Sequence, residues 1–443
     1  MTRLLLRAWA FLALCLPLGG GALATPPSLT YAIVDPRFDA LPGTLTERYW
    51  GIAAGAAYRI EVPAGWNGKL VLYAHGYRGT GPVLYVSNPA LREHFVQNGY
   101  AWAASSYSAN FYDVRQGVLD THALSGIFQE RTGRTPSSTY VTGHSMGGHI
   151  TGALIEQYPD AYVGALPMCG VMGDVALFDY FLDYNLVAQT LAGRSAIFPP
   201  PADYETSVVP DVRAKLSSVL PATFPAQLNA QGEQLRAVTE QRSGGTRPAF
   251  KETFEVWGNF LFGRYGDGTV NGIASGNVTT NLLTVYRFSS GDDDELSAAE
   301  LALNRNVLRV APDWTARYFH GVDGMQNIVP VHATFRIPVL SLHTIGDLFV
   351  PISMEQIYAR RARANDRAKL LVQRAYRDVG HCGFKPQEEA RAFVDLVRWV
   401  EKSEKPEGDE LLDPEEVADP QFGCRFTEAT RAPYPACASD NSN

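Results

Sequence analysis

Ser145 stands at the centre of Gly143-His144-Ser145-Met146-Gly147, where a β-forming run, Ser138–Thr142, meets an apolar helical run, Gly148–Ile155. Small residues around it let the backbone take a sharp strand-to-helix elbow that lifts the hydroxyl clear of a sheet. A serine hydroxyl is a weak nucleophile until an imidazole takes its proton and a carboxylate holds that imidazole. On a strand–elbow–helix scaffold the partners follow in the chain order serine, acid, histidine. Asp347 closes the turn Thr344-Ile345-Gly346-Asp347 after the buried run Ile337–His343, and a single histidine, His381, lies beyond it. Asp347 also reads as a cap for a helix starting near Ile352, which would leave Asp323 or Asp378 as the acid. His144 and His149 beside the elbow read as packing or pocket-wall residues, and His75 as structural.

Attack on a carbonyl creates an oxyanion that needs donors already in place. The N–H of Met146, first in the helix after the elbow, is one expected donor. The second is the N–H of Tyr77, in His75-Gly76-Tyr77-Arg78-Gly79 after the apolar run Leu70–Ala74. Each such donor is worth about 3–4 kcal/mol to a transition state.

The elements that must hold these residues read clearly in the apolar runs. Tyr58–Val62, Leu70–Ala74, Tyr100–Ser105, Tyr140–Thr142, Val163–Met168, Val339–His343 and Leu370–Tyr376 are expected strands. Arg92–Asn98, Val118–Thr132, Gly147–Tyr158, Met354–Asn365 and Gln387–Glu401 are expected helices between them. Near-continuous apolar strands alternating with helices imply an α/β fold, a mostly parallel sheet with helices on both faces. Ligands of such sheets sit at the carboxyl ends of the strands, where Gly76, Ser145, Asp347 and His381 all fall.

Between Met168 and Pro338 the alternation stops. A gap of roughly 170 residues far exceeds an ordinary connection, so 172–334 reads as an inserted cap between core segments 25–171 and 335–403. The acidic run Asp292–Glu295 lacks the alternating ligands and central glycine of a calcium loop and reads as charge at a helix start. Residues 404–443 are acidic and Pro-rich, read as a tail on the surface or partly disordered.

Arg3, Arg7, an apolar run from Ala8 to about Leu18 and Ala22-Leu23-Ala24 form a secretory signal peptide cut after Ala24. Removing a leader with two arginines and no acids takes the formal charge from −8 to −10. That balance argues against nucleic acid or an anionic membrane as partner. Export leaves Cys169, Cys382, Cys424 and Cys437 in an oxidising compartment. Cys424 with Cys437 is the most local pairing, and Cys169 and Cys382 then pair or stay free. No Cys/His spacing resembles a zinc site.

Taken together, Leu70–Gly79, Gly143–Gly148, Gly346–Pro351 and Gly380–His381 resemble the α/β-hydrolase superfamily over about residues 45–172 and 335–402. The stretch Pro63–Lys69 is similar to secreted bacterial serine esterases, a neighbourhood of feruloyl esterases, tannases and polyester-hydrolysing carboxylesterases. This resemblance implies an α/β-hydrolase fold with a large inserted lid and a carboxylic ester hydrolase working through an acyl-enzyme. Ser145 maps to the nucleophile, Asp347 to the acid, His381 to the base, and Tyr77 and Met146 to the oxyanion hole. No metal or organic cofactor is implied, and the substrate would be a small-molecule or polymeric ester. Feruloyl esterases and tannases often bridge a cysteine just before the serine to one just after the histidine. Here His144 occupies the first position, so that bridge cannot form. A prolyl-oligopeptidase-like peptidase would use the same residues, but no acidic pair stands out to anchor a substrate amine. A noncatalytic binding protein on this scaffold would commonly have lost a triad member, and none is missing.

Overall fold

A computed structural model describes residues 30–438 apart from 220–222, 267–273, 275, 290–294, 319–324 and 327. The expected leader at 1–24, Asp292–Asp294 of the acidic run and Asp323 lie outside the described residues.

The core is an eight-stranded sheet. Its strands are β2 (Thr46–Ala53), β3 (Ala56–Pro63), β4 (Lys69–Ala74), β6 (Ala101–Ser105), β7 (Ser138–His144), β8 (Gly164–Met168), β9 (Val339–Thr344) and β10 (Leu371–Tyr376). Two short strands, β1 (Ala32–Ile33) and β5 (Val83–Leu84), pair separately. Across the large sheet the order is β10-β9-β8-β7-β4-β6-β3-β2, and β3 alone runs against its neighbours. Every expected strand is present; β2, an edge strand, was not anticipated.

Alternating side chains of one strand feed two cores. Leu70, Leu72 and Ala74 of β4 join one apolar cluster, and Val71 and Tyr73 join the other. Helices α2 (Val114–Thr132), α3 (Met146–Gln157) and α10 (Ser353–Ala364) cover the first face, while α1 (Arg92–Gln97) and α11 (Pro386–Lys402) cover the second. A strand buried on both faces needs apolar residues at every position, which is why these strands read as continuous apolar runs.

Between β8 and β9 the chain forms α4 (Ala176–Leu191), α5 (Val209–Leu216), α6 (Ala230–Arg242), α7 (Phe250–Phe262), α8 (Ala298–Asn306) and α9 (Trp314–Tyr318). Ser297 and Glu300 form a capping box at the start of α8, satisfying two otherwise orphaned N–H groups. This helical insertion extends the first core rather than building one of its own. Within it, Asp183 of α4 is wholly buried against Arg242 of α6 and the hydroxyl of Tyr286. Desolvation pushes that carboxyl up to about 6, with the Arg242 charge and the Tyr286 hydrogen bond pulling the other way.

The C-terminal segment does not lie loose. Leu411, Val417 in α12 (Pro414–Ala418), Phe422 and Tyr434 pack with Ile345, Ile352 and Ala375 in a third cluster. Asp409 caps the exposed edge of β10: its N–H donates to Gln373 O and its carboxylate accepts from Ala375 N. Among the described residues, no helix is long and apolar enough to cross a membrane.

Candidate active site

Ser145 links β7 to α3 with φ 59° and ψ −122°, a conformation that residues with side chains rarely adopt. Crowding explains the flanking glycines. A Cβ at Gly143 would collide with the backbone of Gly147, and one at Gly147 with the carbonyl of Ala74. The Ser145 N–H donates to Met168 O at 2.9 Å, fixing the elbow to the end of β8.

The hydroxyl of Ser145 donates to His381 Nε2 at 2.8 Å, and His381 Nδ1–H donates to Asp347 Oδ2 at 2.5 Å. Asp347 is fully buried, and its other oxygen accepts from the N–H groups of Phe349 (2.9 Å) and Val350 (3.0 Å). Both oxygens are thus occupied by donors, which fixes the carboxylate's orientation toward the imidazole. Serine, imidazole and carboxylate form one relay spanning three loops at the carboxyl ends of β7, β9 and β10.

The competing acid is engaged elsewhere. Asp378 accepts from Gly380 N at 2.7 Å and pairs with Arg431 at 3.1 Å. His144 turns away from the serine to Glu389 of α11 at 3.0 Å. His149 is fully buried; its Nδ1 accepts from the Tyr112 hydroxyl and its Nε2–H donates to Val329 O. Both are packing residues.

Met146 opens α3, so its N–H has no intrahelical acceptor. Gly76 lies directly against Ser145: a Cβ there would stand 3.1 Å from Ser145 Cβ and 3.3 Å from His144 O. This close approach brings the Gly76–Tyr77 segment beside the serine. Tyr107 holds that segment from below, its hydroxyl donating to His75 O at 2.9 Å and its ring stacking on His75 at 3.9 Å. Burial, aided by the Arg78 charge, pushes His75 down to about 3, although the carbonyls of Gly76 and Ser106 pull the other way. His75 is therefore a neutral wedge under the loop.

Three consecutive carbonyls before His381 are each held by a distant donor, two from the end of β9 and the turn after it and one from the insertion. Asp378 O accepts from Gly346 N (3.0 Å), Val379 O from the Trp257 indole N–H (2.7 Å), and Gly380 O from the Thr344 hydroxyl (2.8 Å). On the other side of the histidine, Cys382 is bonded to Cys169, with their Cα atoms 5.3 Å apart. Cys169 follows Met168, whose carbonyl receives the Ser145 N–H. The second bridge joins Cys424 and Cys437. Cys169, His381 and Cys382 lie close together, but the bridge consumes both sulfurs and leaves no thiolate for a metal.

An aromatic cluster meets one side of the imidazole. Phe349 meets His381 edge-on at 5.1 Å and is itself touched by Phe260 (5.0 Å), Phe181 (6.0 Å) and Trp257 (6.4 Å) of the insertion. Phe178 packs on Tyr112 at 5.1 Å, and Tyr112 on Tyr77 at 6.4 Å. Tyr180 and Phe262, equally aromatic in sequence, are buried inside the insertion. Sequence reasoning did not find Phe349, the loop contact of Trp257 or the Cys169 partner of Cys382. The first had a signal, since Phe349 stands two residues after the acid.

The strand order, the single reversed strand, the strained serine elbow and the insertion after β8 together are those of an α/β-hydrolase fold. No family model matches it. It is 22% identical over 432 residues to the o-phthalyl amidase of Xanthobacter agilis, across 86% of this chain and 93% of that protein. Among solved structures, feruloyl esterase B from Aspergillus oryzae aligns at 12% identity with a TM-score of 0.44, covering 85% of this chain and 86% of that one. The acylaminoacyl peptidase of Pyrococcus horikoshii aligns at 12% identity with a TM-score of 0.39, covering 85% of this chain and 44% of that one.

Proposed function

We propose that the chain is a secreted serine hydrolase that cleaves carboxylic esters through an acyl-enzyme. The observation that carries this reading is the unbroken relay from Ser145 through His381 to buried Asp347. Ser145 Oγ attacks the ester carbonyl as its proton passes to His381 Nε2, and Asp347 holds the resulting imidazolium. The N–H groups of Met146 and Tyr77 receive the oxyanion. Collapse expels the alkoxide, which takes the proton from His381 and leaves the acyl group on Ser145. Water, activated by the same imidazole, then releases the acid. No step requires a metal or organic cofactor. The insertion acts as a cap whose aromatic rings shape the acyl or alcohol pocket. The leader at 1–24 and two disulfides support an exported protein.

A second reading, amide rather than ester cleavage, is favoured by the similarity to o-phthalyl amidase. The same relay serves, with His381 protonating an amine.

The test is turnover of p-nitrophenyl esters from acetate to palmitate beside an aryl anilide, with Ser145→Ala as control. Ester turnover that falls about 10⁶-fold in kcat in the variant supports the proposal. Turnover of the anilide alone moves the chain to the amidases. Residual ester hydrolysis near wild type in Ser145→Ala rejects the nucleophile.

A further inference from the structure

Trp257 joins the aromatic wall to the backbone of the loop carrying the histidine through a hydrogen bond. It sits in α7 of the insertion, stacked on Phe349 at 6.4 Å and edge-on to Phe260 at 5.2 Å. Its indole N–H crosses to the core and donates to Val379 O at 2.7 Å, two residues before His381. The neighbouring carbonyls, Asp378 O and Gly380 O, are held by Gly346 N and the Thr344 hydroxyl, both within the core strand and turn that deliver Asp347. Only the middle carbonyl depends on the insertion.

A second contact ties the insertion to the acid. Arg247, between α6 and α7, is buried and donates from Nε to Ile345 O at 2.7 Å, two residues before Asp347. Its remaining nitrogens donate to Gly245 O (2.9 Å) and Ser243 Oγ (3.0 Å), so the guanidinium is locked within its own turn. The α6–α7 hairpin thus grips both loops that complete the relay, each two residues upstream of the working side chain.

We propose that Trp257 is a positioning residue for His381: the insertion sets the reactivity of the relay as well as the shape of the pocket. Because a misplaced base costs rate even when substrate still binds, loss of the indole N–H acts on kcat. A residue that only lined the pocket would act on KM. The indole face stacks on Phe349 while its N–H edge holds the histidine loop.

This inference rests on the serine-hydrolase reading above, and the experiment separates the two. Wild type, Trp257→Phe, Phe260→Leu and Thr344→Val are compared for steady-state ester hydrolysis and for phosphonylation by a small methyl fluorophosphonate that does not reach the cleft. Trp257→Phe keeps a ring and removes the donor. Its kcat and its phosphonylation rate are expected to fall together by about fivefold, as for loss of one neutral hydrogen bond, with KM held within about twofold. Thr344→Val, which removes the adjacent donor without touching the cleft, gives the same signature. Phe260→Leu, which alters the wall alone, raises KM and leaves the phosphonylation rate in place. A Trp257→Phe enzyme with raised KM and wild-type phosphonylation overturns the positioning role while leaving the hydrolase intact. A wild-type protein that is neither labelled nor active overturns the hydrolase, and the inference with it.

Discussion

Removing the bridge between Cys169 and Cys382 should separate two consequences that most disulfide deletions confound. The bridge spans 213 residues. In the chain-entropy treatment a closed loop of that size stabilises the fold by about 5 kcal/mol, against about 3 kcal/mol for the 13-residue loop of Cys424 and Cys437. At about 2.1 cal/mol/K per residue over roughly 400 residues, each kcal/mol moves Tm by about 1.2 °C, so the long bridge is worth about 6 °C. The catalytic consequence is of another kind. Cys382 follows His381, and Cys169 follows the residue whose carbonyl receives the Ser145 N–H. The bridge therefore spans the serine–histidine hydrogen bond itself, and cutting it frees the imidazole to drift. A displacement of about 1 Å costs up to about a hundredfold in rate. The assay is paired: Tm by calorimetry and kcat on a p-nitrophenyl ester, for Cys169→Ser/Cys382→Ser and for Cys424→Ser/Cys437→Ser. The first variant should lose about 6 °C and at least about tenfold in kcat; the second, about 3 to 4 °C with kcat unchanged. Equal losses of kcat in both would point to general loosening and refute the reasoning, as would wild-type kcat in the first.

Two more outcomes follow from named contacts. Asp347→Asn should lower kcat by about 10⁴-fold because the imidazole loses its tautomer and its hold. Asp378→Asn, which removes one of the two carboxylate partners of Arg431 and leaves Glu388, should show chiefly as a lower Tm. His75 bears on acid stability. Its folded value is pushed down to about 3 from an ordinary 6.5, first by burial and then by Arg78. A histidine held neutral in the fold stabilises above its unfolded value and loses that contribution as pH falls from about 6.5 toward 3. Urea midpoints measured at pH 7 and pH 4.5 should therefore converge more in His75→Asn than in wild type; an unchanged difference would show that His75 does not titrate against folding.

The core strands and the relay were legible because each leaves a local mark. Buried parallel strands are apolar at every position, an elbow needs its glycines, and chain order leaves one histidine after the acid. The edge strand β2 breaks the first rule. It is covered on one side only, and Trp50 and Ile52 point to solvent, so its apolar residues say nothing about burial. The C-terminal segment misleads in the opposite direction. Its acidic, Pro-rich composition is an average, whereas docking needs only a few anchors, here Leu411, Val417, Phe422 and Tyr434. Arg377 completes the attachment by donating from Nε to Phe422 O and from its Nη atoms to Pro420 O and Pro435 O. A buried guanidinium whose acceptors are backbone carbonyls leaves no residue-type signature in its partners.

The same reason hid the contacts that hold the histidine. Val379 O accepts from an indole 122 residues away, and a carbonyl acceptor is common to every residue type. Cys169 offered a clearer mark, yet its partner was undecided because sequence does not show that the ends of β8 and β10 meet. Only the strand order settles that: β8, β9 and β10 are successive neighbours, so the residue after β8 and the loop after β10 face each other across the acid turn of β9. The relay's chemistry is thus written in residue types, and its precision in backbone groups that the topology brings together. Conservative changes at such donors, Trp257 and Thr344 above all, are where reactivity should prove most sensitive relative to any change in binding.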